Sequence, residues 1–402
     1  MQLHADELCS RVEPLFKENF EKFGEFGAAV SIWQNGKLIL DLCGGFRDKR
    51  REQPWTDDTL VLIWSATKGI GSACLLHVLQ EHQPSGGYGS AGKIDIGRRV
   101  GEFWPEFAQA GKETITLAQL LSHQAGLAAL DREVDILDYE SVIDALERQE
   151  PNWPPGTAHG YHARTFGFLV DEIVRRISGM RISQYWRKVF AEPLDLDLWI
   201  GLPEKENARV ATMVPPKAGK VPEPKQFYQD VATRGTFAHK VFTSPRGLTA
   251  VSEMNKPEIR AESIVSLGGI GSANSLAKFY AMLANDGSAP DGRVFFSEQT
   301  MSLMKATLTN GIDRVFQIPT AFSAGFMKDS NVSLTAWSGR TSKRRFGKSM
   351  SAFGQPGAGG SNGFADPENK IGFAYVMNQM EPSVLPNEKS LRLVDAMYQE
   401  RD

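Results

Sequence analysis

Hydrophobic spacing divides the first part of the chain into a helix followed by two strands. Residues 5–23 carry apolar side chains at mostly helical spacing, which predicts an amphipathic helix. The apolar runs AAVSIW and KLILDLCGG then flank Gln34-Asn35-Gly36, and Asn-Gly between two β-rich runs is a strong hairpin signal. The chain is therefore expected to open with a helix, a strand and a second strand.

The period changes twice more along the chain. From about residue 66 to 200 the apolar positions follow helical periodicity, between loops rich in Gly and Pro. Residues 203–262 are rich in Pro, Lys and Glu and weakly periodic, which predicts long surface loops and at most a short strand pair. SANSLAKFYAMLANDG predicts a helix that is ended by Asn-Asp-Gly. Three strands are predicted after it, in the segments SAGFMK, MSAFGQPG and IGFAYVMNQ, and the chain then ends with the predicted helix NEKSLRLVDAMYQE.

These elements predict an α+β fold. One antiparallel sheet is expected to form from both ends of the chain, flanked by the first and last helices, with a mainly helical domain inserted between them. A chain of 402 residues is long enough for two such units. We expect residues 1–65 and 263–402 to form the sheet domain, and residues 66–262 the inserted domain with long loops.

Composition limits the partners that this protein can have. The net charge is only −3 and no basic stripe appears, which argues against nucleic acid as a partner. No apolar run reaches the roughly 20 residues that span a bilayer, and MQLHADELCSRVEPLF lacks the pattern of a secretory leader. Cys9, Cys43 and Cys74 lack the spacing of a disulfide framework or zinc site. We therefore expect a cytoplasmic protein without a membrane partner or cofactor.

The strongest chemical signal is Ser65, in the segment Leu62-Ile63-Trp64-Ser65-Ala66-Thr67-Lys68-Gly69, where an apolar stretch turns into a helical one. Ser-x-x-Lys places the two side chains one helical turn apart, within hydrogen-bonding reach. A lysine in an apolar, enclosed site loses proton affinity and can act as a base toward the hydroxyl. Ser65 is therefore the candidate nucleophile, with a plain helix cap as the alternative.

Other serines match parts of a catalytic pattern. Ser-x-x-Lys also occurs in a Gly-rich loop and in two amphipathic helices, at Ser90/Lys93, Ser275/Lys278 and Ser302/Lys305. Ser361, in Gly-Gly-Ser-Asn-Gly, fits the nucleophile elbow of α/β-hydrolases. An elbow requires a helix after the serine, however, and the residues that follow Ser361 predict a turn and a strand.

Histidine and metal chemistry have less support. His123 or His162 would be needed for a Ser-His-Asp triad, but His123 falls at the end of a predicted helix, where capping and packing are the usual roles. No H-E-x-x-H motif or cluster of His and Asp ligands is present, so we expect no metal site.

Taken together, the motifs resemble those of the serine β-lactamase and penicillin-binding-protein-like hydrolases, and among them the class C β-lactamase-like esterases called carboxylesterase family VIII. Four ordered segments carry the resemblance: WSATKG, KIDIGRRVGEFWPEFAQAGKETITLAQLLSHQAGL, PGT with GYHARTFGFLVDEIVRRISG, and FGQPGAGGSNGFADPENKIGFAYVMNQM. The resemblance extends over most of the chain and implies a β-lactamase/transpeptidase-like fold.

By this resemblance, Ser65 is the acylated nucleophile, Lys68 its base and Tyr161 the phenolic partner. Ala163 replaces the Asn of the family's Tyr-x-Asn element. A phenol beside a lysine charge is expected to be pulled toward phenolate. The amides of Ser65 and Ala358 are expected to form the oxyanion hole, and the expected substrate contacts are Gln355, Gly357 and His162.

We expect hydrolysis of small carboxylic esters through an acyl-enzyme, with a small-molecule ester as the substrate. Gln355 is neutral where β-lactamase relatives place a cation, which disfavours substrates that carry a carboxylate. Three alternatives stay open at this point: a β-lactamase or DD-peptidase, an acyltransferase using the same residues, and a catalytically silent binding protein. The acyl chain, the alcohol and the oligomeric state are not specified by the sequence.

Overall fold

A large antiparallel sheet forms the frame of the protein. The computed structural model describes residues 1–82, 94–217, 224–331 and 344–399. Eight strands lie in the order β2-β1-β11-β10-β9-β8-β7-β6, and all their pairings are antiparallel. The strands are β1 (Gly27–Gln34), β2 (Lys37–Gly45), β6 (Thr309–Ile312), β7 (Pro319–Phe322), β8 (Met327–Lys328), β9 (Phe353–Pro356), β10 (Asn362–Asp366) and β11 (Ile371–Met377).

The β1–β2 hairpin turns at Asn35 and Gly36, with φ of 51° and 73°. Positive φ at both positions is what a two-residue hairpin turn of type I′ requires, and Asn-Gly adopts it with little strain. β1 then pairs along its other edge with β11, which places Gln34 opposite Ile371. The predicted sheet assembled from both ends of the chain is confirmed.

Helices cover both faces of this sheet. Helix α10 (Ala273–Ala284) lies on one face, so close that a Cβ on Gly372 would be 2.3 Å from the backbone nitrogen of Ala281. Helices α1 (Ala5–Glu21) and α12 (Glu388–Met397) lie on the opposite face, where Phe16 and Phe20 of α1 approach Gly44. The three helices were predicted from their periodicity, and the α+β fold class is confirmed.

The remaining described elements stand between and beside these layers. A second sheet of three short strands has the order β3-β5-β4. These strands are β3 (Val61–Trp64), β4 (Leu198–Ile200) and β5 (Gly269–Gly271). The other helices are α2 (Thr67–Glu81), α3 (Leu117–Leu121), α4 (Tyr139–Arg148), α5 (Thr165–Ser178), α6 (Ile182–Trp186), α7 (Lys225–Ala232), α8 (Phe237–Thr243), α9 (Pro257–Arg260) and α11 (Glu298–Lys305).

Two features differ from the sequence analysis. The β3-β5-β4 sheet was not predicted, because strands of three or four residues are too short to show a period. The described residues of 203–262 form the short helices α7–α9 and not a strand pair.

The division into a sheet domain and an inserted helical domain stays a prediction. Within the described ranges, no helix combines the length and apolar character needed to cross a membrane.

Candidate active site

Ser65 lies in the turn between β3 and α2, two residues before the first residue of the helix. The residue before it, Trp64, has a φ of 51°, a strained conformation for a bulky side chain. Thr67 fixes this turn, since its hydroxyl donates to the Trp64 carbonyl at 2.5 Å and accepts from the Gly269 amide at 2.8 Å. Strain of this kind clusters at functional sites, and here it presents a half-buried serine.

Lys68 is fully buried, one turn after Ser65. Its Nζ lies 3.1 Å from the Ser65 Oγ and donates to the Ser266 carbonyl at 2.6 Å. Burial holds the pKa of Lys68 well below its usual range, and the nearby Arg164 guanidinium lowers it further. A neutral amine keeps a lone pair for the serine proton, which is the state a general base needs.

Sequence reasoning missed Arg164, which acts on Lys68 through charge and not by contact. Its guanidinium is buried and donates to the carbonyls of Phe242 and Gly247. Burial lowers the pKa of Arg164 to about 10, so it stays charged at neutral pH. Arginine follows Tyr161-His162-Ala163 directly in the chain, and adjacency to the predicted phenol was the only signal for it.

Tyr161 is the third member of the site, and it is buried. Its hydroxyl is in hydrogen-bonding reach of Ser65 and accepts from the Gln355 Nε2 at 3.1 Å. The Lys68 Nζ lies 5.0 Å from the centroid of the phenol ring. The structure therefore brings together Ser65, Lys68, Tyr161 and Gln355.

The expected pull of Tyr161 toward phenolate is wrong. Burial raises its pKa well above the usual value, and the charge of Asp313 adds to this, while the bonds to Ser65 and Gln355 only partly oppose it. The phenolate was expected because of the positive charge on Lys68. Burial of Lys68 favours its neutral amine, so less positive charge is present to favour the phenolate. Tyr161 is therefore a phenol that can donate or relay a proton.

The end of β9 lies directly beside the end of β3. A Cβ on Gly357 would lie 2.2 Å from the carbonyl oxygen of Ile63, so only glycine permits this approach. In the described part of the chain, neither the Ser65 amide nor the Ala358 amide has a hydrogen-bond acceptor. An oxyanion hole is built from unpaired N–H groups of this kind.

His162 and His123 pack behind the site. The His162 Nε2 accepts from the Leu127 amide at 2.9 Å and its Nδ1 donates to the Gly160 carbonyl at 2.7 Å. The fully buried imidazole therefore has no ring nitrogen left for a substrate, contrary to the expected substrate contact. The His123 Nδ1 accepts from the His162 amide at 3.1 Å, which gives it the structural role that was predicted.

The rival serines lie in other surroundings. Ser361 is fully buried, its hydroxyl has no partner among the described residues, and strand β10 follows it directly. Ser275 accepts from the Asp197 amide, and Ser302 donates to the Glu298 carbonyl. Ser90 and Lys93 lie outside the described residues. Among the described Ser-x-x-Lys pairs, only the pair of Ser65 and Lys68 lies at a turn from a strand into a helix, between β3 and α2.

The described residues contain no group of three or more His, Cys, Asp or Glu side chains placed to hold a metal ion.

Comparison with known proteins identifies the family. The family model described as Beta-lactamase matches residues 16–396. The chain belongs to this family. Among curated relatives of this β-lactamase-family protein, the esterase/beta-lactamase LipL of Mycobacterium tuberculosis is 30% identical over 378 residues, covering 89% of this chain and 78% of LipL.

Solved structures agree with that assignment. A family VIII carboxylesterase matches with a TM-score of 0.82 at 32% identity, covering 99% of this chain and 98% of that one. A penicillin-binding protein homologue from Caulobacter crescentus matches with the same score, identity and coverage. The resemblance to β-lactamase-like hydrolases and their fold is confirmed.

Proposed function

We propose that this protein is a serine carboxylesterase that cleaves small, uncharged esters through an acyl-enzyme on Ser65. The observation that carries the proposal is the fully buried amine of Lys68, which lies 3.1 Å from the Ser65 hydroxyl and whose pKa burial holds well below its usual range. An unactivated serine is a weak nucleophile, and an adjacent base within hydrogen-bonding distance activates it. The names of LipL and of the family VIII carboxylesterase support an ester as substrate.

Acylation follows from the geometry. As the Ser65 oxygen attacks the ester carbon, its proton passes to Lys68, and the negative charge that develops on the carbonyl oxygen is met by the amides of Ser65 and Ala358. Tyr161 lies within reach of Ser65, so it relays the proton to the departing alcohol. The positive charge of Arg164 makes a protonated Lys68 unfavourable. It therefore favours transfer of the proton from Lys68 to the alcohol through Tyr161.

Deacylation uses the same groups in reverse. Water attacks the acyl carbon, the two amides again stabilise the oxyanion, and the proton released by water passes through Tyr161 and Lys68 back to Ser65. An alcohol in place of water would make the same residues an acyltransferase, so the acceptor is decided by access and not by the catalytic groups.

Gln355 supports neutral esters over β-lactams and cell-wall peptides. Its side chain is buried and donates to the Tyr161 hydroxyl, so it brings no positive charge to the site. A charge-assisted hydrogen bond to a carboxylate is roughly twice as strong as a neutral one. An uncharged ester loses nothing by the absence of such a cation. The cytoplasmic location expected from the sequence stays a prediction.

Labelling with a fluorophosphonate tests this function. We expect one label on the Ser65 peptide and none in Ser65→Ala, together with hydrolysis of p-nitrophenyl esters that Ser65→Ala lacks. Ser361→Ala is the matched control, because it removes a buried hydroxyl that has no partner in the described structure and should keep both label and activity. Label on Ser361, or hydrolysis by Ser65→Ala, would show that the proposal is wrong. A silent binding protein would hydrolyse no ester and take no label.

A further inference from the structure

A buried carboxylate lies behind Tyr161. Asp313, in the turn between β6 and β7, is fully buried and has no ion-pair partner in the described ranges. Its Oδ1 accepts from three backbone amides: Tyr161 at 3.2 Å, Val315 at 2.8 Å and Phe316 at 2.9 Å. One carboxylate oxygen thus organises its own turn and also holds the backbone of Tyr161.

The other carboxylate oxygen accepts the last of a series of side-chain hydrogen bonds, in which each group donates to the next. The Thr320 hydroxyl donates to the Asp313 Oδ2 at 3.0 Å. Because that hydroxyl has a single proton, the His159 Nε2, at 2.9 Å from it, must be the donor to Thr320. The His159 Nδ1 then accepts from the Thr309 hydroxyl at 3.0 Å. Every hydrogen-bonded neighbour of the Asp313 carboxylate is a donor; burial raises the pKa of this group, and the bonds from the three amides oppose that shift.

The same turn also contacts the ring of Tyr161. The Phe316 ring stacks on the phenol with centroids 4.8 Å apart, and the Arg314 amide donates to the His159 carbonyl at 3.0 Å. The segment from His159 to Tyr161 is therefore attached to the β6–β7 turn at its first residue, at its last residue and at the phenol ring.

We propose that Asp313 is a positioning residue for Tyr161, held by Thr320 and His159, and that it keeps the phenol where it can deliver a proton to the leaving alcohol. This inference rests on the proposed esterase function. Asp313 itself does not touch the substrate. A misplacement of about 1 Å in a catalytic group can cost on the order of a hundredfold in rate, so the anchor affects the chemical step.

The inference has a kinetic signature that a loss of folding does not share. An alkyl alcohol must be protonated as it leaves, whereas p-nitrophenolate leaves without a proton. A displaced Tyr161 should therefore slow methyl butyrate much more than p-nitrophenyl butyrate. A smaller folded fraction lowers both rates equally, and counting active sites by fluorophosphonate label removes that effect.

The test compares variants of Thr320 and Asp313 in the full chain. Thr320→Val keeps the shape of the side chain and removes the hydroxyl, while Thr320→Ser keeps the hydroxyl. Asp313→Ala removes the acceptor, while Asp313→Asn keeps an oxygen for the three amides and can bond Thr320 through its nitrogen. Asp171→Asn is the control, because Asp171 is also a buried carboxylate that accepts from a backbone amide, that of Ile182, away from Tyr161.

We expect Thr320→Val and Asp313→Ala to lower kcat/KM per labelled site for methyl butyrate by about tenfold or more relative to p-nitrophenyl butyrate. Thr320→Ser, Asp313→Asn and Asp171→Asn should keep the wild-type ratio of the two rates. If Asp313→Ala does not fold, Thr320→Val decides. An unchanged ratio in Thr320→Val overturns the positioning role, whereas the proposed function fails separately, through a wild type without label at Ser65.

Discussion

At the scale of single residues, burial acts in opposite directions on the two titratable side chains beside Ser65. It lowers the pKa of the Lys68 ammonium and raises the pKa of the Tyr161 phenol, and both shifts favour the uncharged form. An amine without its proton beside a phenol with its proton is a base and an acid in adjacent positions. The site therefore needs no imidazole, and the buried His123 and His162 serve packing.

Replacing Arg164 should move the pH dependence of catalysis. Acylation needs the neutral amine of Lys68, so kcat/KM rises as the pH passes the pKa of that lysine. The Arg164 charge lowers this pKa, so Arg164→Gln should raise it and shift the acid limb of the kcat/KM profile to higher pH. The measurement is kcat/KM for p-nitrophenyl butyrate between pH 5 and 10.

Arg260→Gln is the matched control for that shift. Arg260 is also buried, but it bonds Asn207 and is not among the groups that shift the pKa of Lys68. Its acid limb should coincide with that of the wild type. An acid limb that stays in place, or moves to lower pH, in Arg164→Gln would contradict the role assigned to the guanidinium.

Gln355→Lys should narrow the preference for neutral esters. The new ammonium would stand next to the Tyr161 hydroxyl, where Gln355 now donates, and could pair with a substrate carboxylate. We expect kcat/KM for a chromogenic cephalosporin to rise relative to that for p-nitrophenyl butyrate. Efficient cephalosporin turnover by the wild type, or no relative gain in the variant, would defeat this account of specificity.

At the scale of elements, α2 carries the buried Lys68 near its start and the half-buried His77 in its second half. His77 donates to or accepts from the Tyr185 hydroxyl at 2.8 Å and packs against the rings of Phe190 and Phe296. Burial lowers the pKa of His77 to about 4. The helix thus packs against an aromatic cluster that favours the neutral imidazole.

Acid should therefore weaken the attachment of α2. Above pH 6.5 His77 is neutral in both states. As the pH falls from about 6.5 to about 4, His77 binds a proton in the unfolded chain but stays largely neutral in the folded protein. The free energy of unfolding therefore decreases. His77→Phe should lose less stability between pH 7 and 5 than the wild type in urea unfolding, although it loses the Tyr185 bond. His4→Gln, at an exposed histidine, is the control; an equal loss in all three proteins would rule out His77 as a source.

Local pattern explains which elements the sequence could predict. Asn35-Gly36 specifies its own turn, and α10 carries both its period and its Ser272 cap within one segment. The three-residue strands β4 and β5 carry no period, so their sheet could not be predicted. The site followed the same rule: Ser65 and Lys68 are one turn apart, whereas Asp313 reaches Tyr161 only through the tertiary fold. Burial, which sets the phenol's pKa, is likewise a property of the folded protein.

At the scale of the whole molecule, both ends of the chain close the same sheet. β1 pairs with β11, and α1 packs against α12, where the Asn19 side-chain Nδ2 donates to the Lys389 carbonyl at 3.1 Å. The Lys389 ammonium is buried and lies 3.3 Å from the Glu25 carboxylate, which also accepts from the Tyr375 hydroxyl at 2.6 Å. Polar groups from the two ends are thus buried together.

A chain that stops after residue 366 should fail to fold. It keeps Ser65, Lys68, Tyr161 and Gln355, but it lacks β11 and leaves the inner edges of β1 and β10 unpaired. We expect rapid cleavage in limited proteolysis and no fluorophosphonate label, with the full chain as the control. Protease resistance with label at Ser65 would show that the sheet does not depend on β11.

The pairing of β1 with β11 also sets the order of events during synthesis. β1 leaves the ribosome near the start of translation and β11 near its end, so at about 5–20 residues per second the first hairpin waits on the order of tens of seconds for its partner. During that time one edge of β1 exposes unpaired backbone groups to other nascent chains. Yield in cells should therefore depend on chaperones that cover this edge until translation is nearly complete.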